Sequence, residues 1–446
     1  MSASAFTSAG RSVAVIGAGW AGCAAAVEAT RLGHHATLFE AARTAGGRAR
    51  RLDVEVNGIT VGLDNGQHIL IGAYSETLQL MTDVGVDITQ TLHRMPLTMQ
   101  FPDGSGLKLP SCALLPAPLD ALVGIARARG WSLADKLSLL KTATLWQLQK
   151  FQCAPQLSVA DLCSKIAPRV MATLIEPLCV SALNTPADRA SGQVFLRVLK
   201  DSLFAVSGGS NLLLPRLDLS ALLPEAALAW LVAKGSQVRL GIRVQSITSA
   251  IGNRWQLTGG AYADFGTFDR VILACPPNEA ARLARSTTLP CTEWLALSDG
   301  LHYEAIATVY AHAPGAHLAL PMLALTSSSN YPAQFVFDRG QLGGPAGLLA
   351  FVVSASQQGS AEMAVQVTAQ AADQLGLYPL QVLQTVVEKR ATFACTPGLQ
   401  RPAAHIASGL LACGDYVNGP YPATLEGAIR SGLQAARLLN STSVQD

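Results

Sequence analysis

RSVAVIGAGWAGCAAAVEATRLGHHATLFEAARTAGGRARR, residues 11–51, decides the fold. Val13 to Ile16 are apolar and partly β-branched, as a buried parallel strand requires. Gly17, Ala18, Gly19 and Gly22 then supply a G-x-G-x-x-G turn that opens an alanine-rich helix closed by Gly33. Gly17 permits the tight turn, Gly19 lets a pyrophosphate approach the backbone, and Gly22 lets helix and strand pack closely. The helix start offers free N–H groups and a positive dipole to that pyrophosphate. A second strand, Ala36 to Phe39, ends in Glu40, where a carboxylate can accept hydrogen bonds from both ribose hydroxyls of an adenosine and repel a 2′-phosphate. The ligand is a dinucleotide, FAD or NAD, and not NADP.

Ala45-Gly46-Gly47-Arg48 chooses between them. It resembles the G-G-R signature of flavin-dependent amine oxidases and carotenoid-type desaturases, which implies FAD, with Gly47 and Arg48 on its diphosphate. Where those proteins carry Ser or Thr this chain has Arg51, so arginines 48, 50 and 51 are expected to face the dianion together. Two later stretches carry the same resemblance. Val244 stands where a valine brackets the adenine, ahead of the strand Asp269-Arg270-Val271-Ile272-Leu273. Leu410-Leu411-Ala412-Cys413-Gly414-Asp415 precedes a helix that starts at Thr424 and Leu425. The resemblance implies that Gly414 and Asp415 hold the ribityl chain while the helix, capped by Thr424, turns its dipole toward the flavin.

Composition sets the class. The 446 residues exceed what one core usually holds, and 50% are hydrophobic against 14% charged, which suggests a large interior or a greasy ligand. A formal charge of +2 with no basic run argues against nucleic acid. Nine scattered cysteines without C-x-x-C, and eight histidines without H-E-x-x-H, predict buried thiols and no metal. No run of 18 apolar residues predicts a membrane span. Residues 1–10 read as a disordered tail without a leader pattern, so the expected location is the cytoplasm.

The expected fold class is α/β: a Rossmann-like FAD-binding domain of the glutathione-reductase and amine oxidase type, with an inserted substrate domain of helices and sheet. The FAD-binding domain is assigned to 11–82, 206–283 and 404–446, and the substrate domain to 83–205 and 284–403. Residues 83–205 read as helical; Leu133 to Phe151 shows the spacing best, with Leu137, Leu140, Leu145 and Leu148 against Lys136, Lys141 and Lys150. Residues 107–126 are apolar and broken by three prolines, either an internal helix pair or a lipid entrance resting on a membrane. Strands within 284–403 are expected to form one cavity wall.

Residues 62–72, GLDNGQHILIG, enclose a polar cluster in apolar residues. Asp64, Asn65, Gln67 and His68 form either a catalytic face or a self-satisfied turn network. With LPSCALLPAPL and LLACGDYVNGPYPATLEGAIRSG, this stretch resembles the bacterial hydroxysqualene dehydroxylases. That resemblance implies FAD-dependent reductive loss of the hydroxyl of hydroxysqualene to give squalene, on the route to hopanoids. An external electron donor is then required, since no second nucleotide fingerprint is present. An allylic hydroxyl leaves poorly unprotonated, so His68, oriented by Asp64, is expected to donate the proton. The rival readings are a desaturase or oxidase running electrons the other way and a prenyl-lipid carrier without flavin.

Overall fold

The computed structural model describes residues 10–56, 58–110, 118–205, 207–260, 263–356 and 358–440. Residues 1–9 of the expected tail and 111–117 of the proline-rich stretch therefore lie outside the described residues.

The opening unit forms as read. Strand Ser12–Ile16 leads into helix Trp20–Arg31 and strand His35–Glu40, and Gly33 takes the left-handed conformation just past the helix. These two strands sit in a six-stranded sheet of order Gln237–Leu240, His35–Glu40, Ser12–Ile16, Arg270–Leu273, Leu410–Ala412, His405–Ala407. The first five run parallel and the last pairs antiparallel at the edge. Three segments far apart in sequence thus converge on one sheet, which puts their strand ends at a common edge. There, as in other open α/β sheets, ligands bind.

Glycine decides two contacts. A Cβ on Gly22 would stand 1.8 Å from the Gly17 carbonyl oxygen, so the phosphate turn closes onto the helix only without one. A Cβ on Gly432 would stand 2.2 Å from the Ala21 oxygen, so the last helix, Leu425–Leu438, presses directly on the first. Both helices bring their N-termini to the same place.

Residues 83–205 are not purely helical. They open with short strands Leu92–Met95, Thr98–Gln100 and Gly106–Lys108. Met95, Leu97, Met99 and Phe101 are buried at every second position, a period of two too brief to stand out beside the helices that follow. Helices Leu119–Arg127 and Leu133–Leu148 then form. The second is a helix as expected, but its buried face is Leu139, Thr142 and Trp146, while Leu137, Leu145 and Leu148 of the expected stripe are exposed and Leu140 is half-buried.

Residues 284–403 build a five-stranded antiparallel sheet of order Met322–Ala324, Phe335–Asp338, Leu348–Ser356, Tyr303–His312, Gln381–Phe393. One face packs on helix Ser360–Leu375 through Val309, Phe351, Val353, Met363 and Val367. The other face looks into the molecule. Its register places Ile306 beside Ser354 and Glu388, and Phe335 beside Val352, and all five line the central cavity with Phe337. The expected sheet wall is present.

Candidate active site

A cavity of about 580 Å³ runs from the glycine turn to that sheet face. Of the sequence-predicted residues, Gly17, Gly19, Glu40, Gly47, Arg48, Gln67, His68, Val244, Gly414, Asp415, Thr424 and Leu425 all line it. Ala18 and Gly22 act from behind: the Ala18 N–H donates to Glu40 Oε2 at 2.7 Å, and Gly22 closes the turn. Glu40 Oε1 also accepts from the Ala42 N–H at 2.8 Å, so its carboxylate is fixed at the end of its strand.

The cradle fits a dinucleotide. No side chain caps the first helix, so its N-terminal N–H groups remain available to an anion. Gly19 and Gly47 face each other so closely that a Cβ on Gly47 would stand 3.3 Å from the Gly19 Cα, leaving bare backbone on both sides of the groove. The Tyr416 hydroxyl is buried without a partner among the described residues, and its residue lines the cavity. At the far end the Thr424 Oγ1 accepts from the Gly427 N–H at 2.9 Å, capping the last helix as expected.

The arginines divide. Arg48 is held by Asp415 and donates to the Ala391 carbonyl at 2.7 Å, which ties the G-G-R turn to the Gly-Asp turn and to the long strand Gln381–Phe393. Arg50 lines the cavity. Arg51 does not: as the first residue of strand Arg51–Val56 it pairs with Asp53 at 2.6 Å and Asp218 at 3.6 Å. The expectation of three arginines facing one dianion together is corrected for Arg51, whose partners are carboxylates outside the cavity lining.

The 64–68 segment lies across the inner face of the second sheet. The Tyr310 hydroxyl donates to the Asp64 carbonyl at 2.8 Å, and the Gln67 N–H donates to Thr308 Oγ1 at 3.2 Å. Arg339, buried behind it, donates to Gln67 Oε1 at 3.4 Å and to the Pro215 carbonyl at 3.1 Å. Asp64 does not orient His68. Its side chain is only 1% exposed and accepts from the Leu219 N–H at 2.7 Å, away from the cavity lining. Burial pushes its carboxyl up to about 7. His68 moves the other way: burial, then the Arg48 charge, presses it down to about 4, so its imidazole is neutral at pH 7. A neutral imidazole donates and accepts hydrogen bonds but holds no spare proton.

Two residues went unread in the sequence. Arg339 supports the loop, and Glu388 lines the cavity from the long strand, its Oε2 accepting from Asn65 Nδ2 at 3.5 Å. Neither sits in a motif; only the fold brings them here. No group of His, Cys, Asp and Glu fit for a metal occurs among the described residues.

The family model of the flavin containing amine oxidoreductases matches residues 20–440. A hydroxysqualene dehydroxylase of Rhodopseudomonas palustris is 29% identical over 440 residues, 96% of this chain and 98% of the relative. One of Zymomonas mobilis is 28% identical over 457 residues, 96% and 99% of the two chains. Among solved structures, cyclohexylamine oxidase from Brevibacterium oxydans matches at a TM-score of 0.67 and 16% identity, covering 96% of this chain and 98% of its own.

Proposed function

The chain belongs to the flavin containing amine oxidoreductase family, and from that premise we propose that this FAD-dependent oxidoreductase removes the hydroxyl of hydroxysqualene reductively to give squalene. One observation carries the reading. The nucleotide cradle opens directly onto a wall in which Ile306, Phe335, Phe337 and Val352 predominate, a surface for a long hydrocarbon. The full-length relatives named for this reaction support it.

Bound FAD, once reduced, supplies a hydride. The chain does the rest. Gly17, Gly19 and Gly47 with the first helix hold the diphosphate, Glu40 the adenosine ribose, Val244 the adenine, and Asp415, Thr424 and Leu425 the flavin end. The apolar sheet face holds the isoprenoid and excludes water that would capture a carbocation. His68 and Gln67 meet the hydroxyl at the polar edge. His68, neutral at pH 7, orients that hydroxyl and relays a proton to the oxygen instead of storing one. The electron donor is external, and the substrate arrives from a bilayer. No described helix is long and apolar enough to cross one. Leu119, Leu122, Leu133, Leu137, Leu145 and Leu148 are nonetheless exposed on consecutive helices, beside Lys141, where they can rest on an anionic surface.

The test is anaerobic. Photoreduced protein mixed with hydroxysqualene should reoxidise while squalene forms. Flavin that stays reduced, together with bleaching of oxidised enzyme by a carotenoid precursor, would move the assignment to a desaturase.

A further inference from the structure

Four carboxylates line the central cavity: Glu40, Glu279, Asp415 and Glu388. Three have work in the nucleotide half. Glu40 is fixed at the ribose position by two backbone N–H groups. Glu279 pairs with Arg282 at 3.0 Å and Arg243 at 3.9 Å beside Val244. Asp415 pairs with Arg48. Glu388 alone comes from the second sheet, and it forms no ion pair among the described residues.

Its surroundings are unusual for a carboxylate. Glu388 stands directly across from Ile306 in the sheet register, and Ile306 from Ser354. The part of that sheet that lines the cavity is therefore mostly apolar, with Ser354 and Thr392 as its neutral polar members and Glu388 as its one carboxylate. The charge is held in place: Oε1 accepts from the Arg390 N–H at 3.3 Å, and Oε2 accepts from Asn65 at 3.5 Å, three residues before His68. Of the cations nearby, Arg390 lies over the Tyr303 ring at 5.7 Å, and Arg48 is hydrogen-bonded to Asp415 while its charge is also close enough to act on Glu388.

We infer that the Glu388 carboxylate is the counter-ion for the positive charge that develops on the substrate's allylic carbon, an inference that rests on the dehydroxylase reading above. In that reaction the hydroxyl oxygen takes a proton and the C–O bond breaks. Its electron pair leaves with water, and the carbon is left two electrons short until a hydride from the reduced cofactor supplies them. The sum is R–OH + H⁺ + H⁻ → R–H + H₂O. Between bond breaking and hydride arrival the carbon carries a positive charge beside a mostly apolar wall, where a fixed charge acts more strongly than in water and where Glu388 offsets the Arg48 cation in the same cavity. A preplaced anion stabilises that state and does little for the neutral alcohol, so it lowers the barrier without tightening the ground state.

The experiment uses holoenzyme with oxidised FAD and no turnover. The probe is a C30 isoprenoid tertiary amine whose ammonium nitrogen replaces the reacting carbon; squalene is the neutral control, and binding is read from the flavin spectrum. Glu388→Gln keeps the shape and the acceptor for the Arg390 N–H and removes the charge together with the weak acceptor for Asn65 Nδ2 at 3.5 Å. It should weaken the amine about 30-fold and squalene less than about twofold, with Glu388→Asp between wild type and Gln. Equal effects on both ligands, or none on either, would overturn the inference. So would loss of FAD from both variants, which would return Glu388 to the nucleotide cradle. Failure of the wild type to turn over hydroxysqualene, with the amine preference intact, would count against the substrate reading and leave an anionic site standing.

Discussion

The nucleotide cradle and the sheet wall enclose one cavity by opposite means. The cradle is made of backbone: helix starts, one strand-end acid and bare glycines, of which Gly17, Gly22 and Gly414 leave no room for a Cβ. The wall is made of side chains, alternate residues from four strands spread between 303 and 393. Backbone shape tolerates almost no change but fits any molecule with the same diphosphate. A side-chain wall tolerates change and thereby sets which substrate is accepted. Substitutions should divide along that line.

The largest effect belongs to the cradle. Gly22→Val places its Cβ where the Gly17 carbonyl oxygen stands, at 1.8 Å, and neither is free to move. The protein should purify without flavin or fail to fold, seen as absent visible absorbance and failure to take up added FAD. Next is Glu40→Ala. It removes the acceptor of the Ala18 and Ala42 N–H groups and, in the proposed binding mode, of the ribose hydroxyls. Charge-assisted hydrogen bonds are worth roughly 1.5–3 kcal/mol each, so FAD should bind roughly tenfold to hundredfold more weakly in a fluorescence titration.

Arg339→Met tests the opposite side. Arg339 reaches no part of the cradle, yet it holds Gln67. FAD content should stay full while turnover of hydroxysqualene falls about tenfold, as expected when a supporting residue lets a reacting group drift. A variant that lost flavin instead would break the division between the two halves.

That division also explains what could be read from sequence. A glycine spacing is local, so residues 11–51 revealed strand, turn, helix and acid together, whereas Gly414, Asp415 and Thr424 were reached only through the resemblance of their stretch to other flavoproteins. The wall has no local signature. Ile306, Phe335, Val352 and Glu388 become neighbours only through strand register, and Glu388 sits within QTVVEKRATF, where the adjacent Lys389 and Arg390 are exposed and make it look like one more surface charge. Asp64 misled for a related reason. Its place in a polar cluster is visible in sequence, but the direction of its side chain, toward Leu219 and away from His68, depends on a helix start more than 150 residues later.

Asp64 gives the smallest effect and a sign that can be worked out. Its carboxyl is raised in the folded protein from 3.8 to about 7, mainly by burial. The folded state then binds a proton that the unfolded chain has released, so this stability is full below about pH 4 and lost as pH rises through about 7. His68 slopes the other way. Lowered from 6.5 to about 4, it favours the folded state fully above pH 6.5, and that advantage disappears as pH falls through about 4. Between those limits the two trends oppose, and the wild-type melting temperature should vary little. Asp64→Asn keeps an oxygen for the Leu219 N–H and removes the titrating group. It should melt roughly 1–3 °C above wild type at pH 8, with the difference gone or reversed at pH 4, where His68 acts alone. A uniform shift at every pH would mean that the substitution acts through packing and that the loop's two buried groups do not set its pH response.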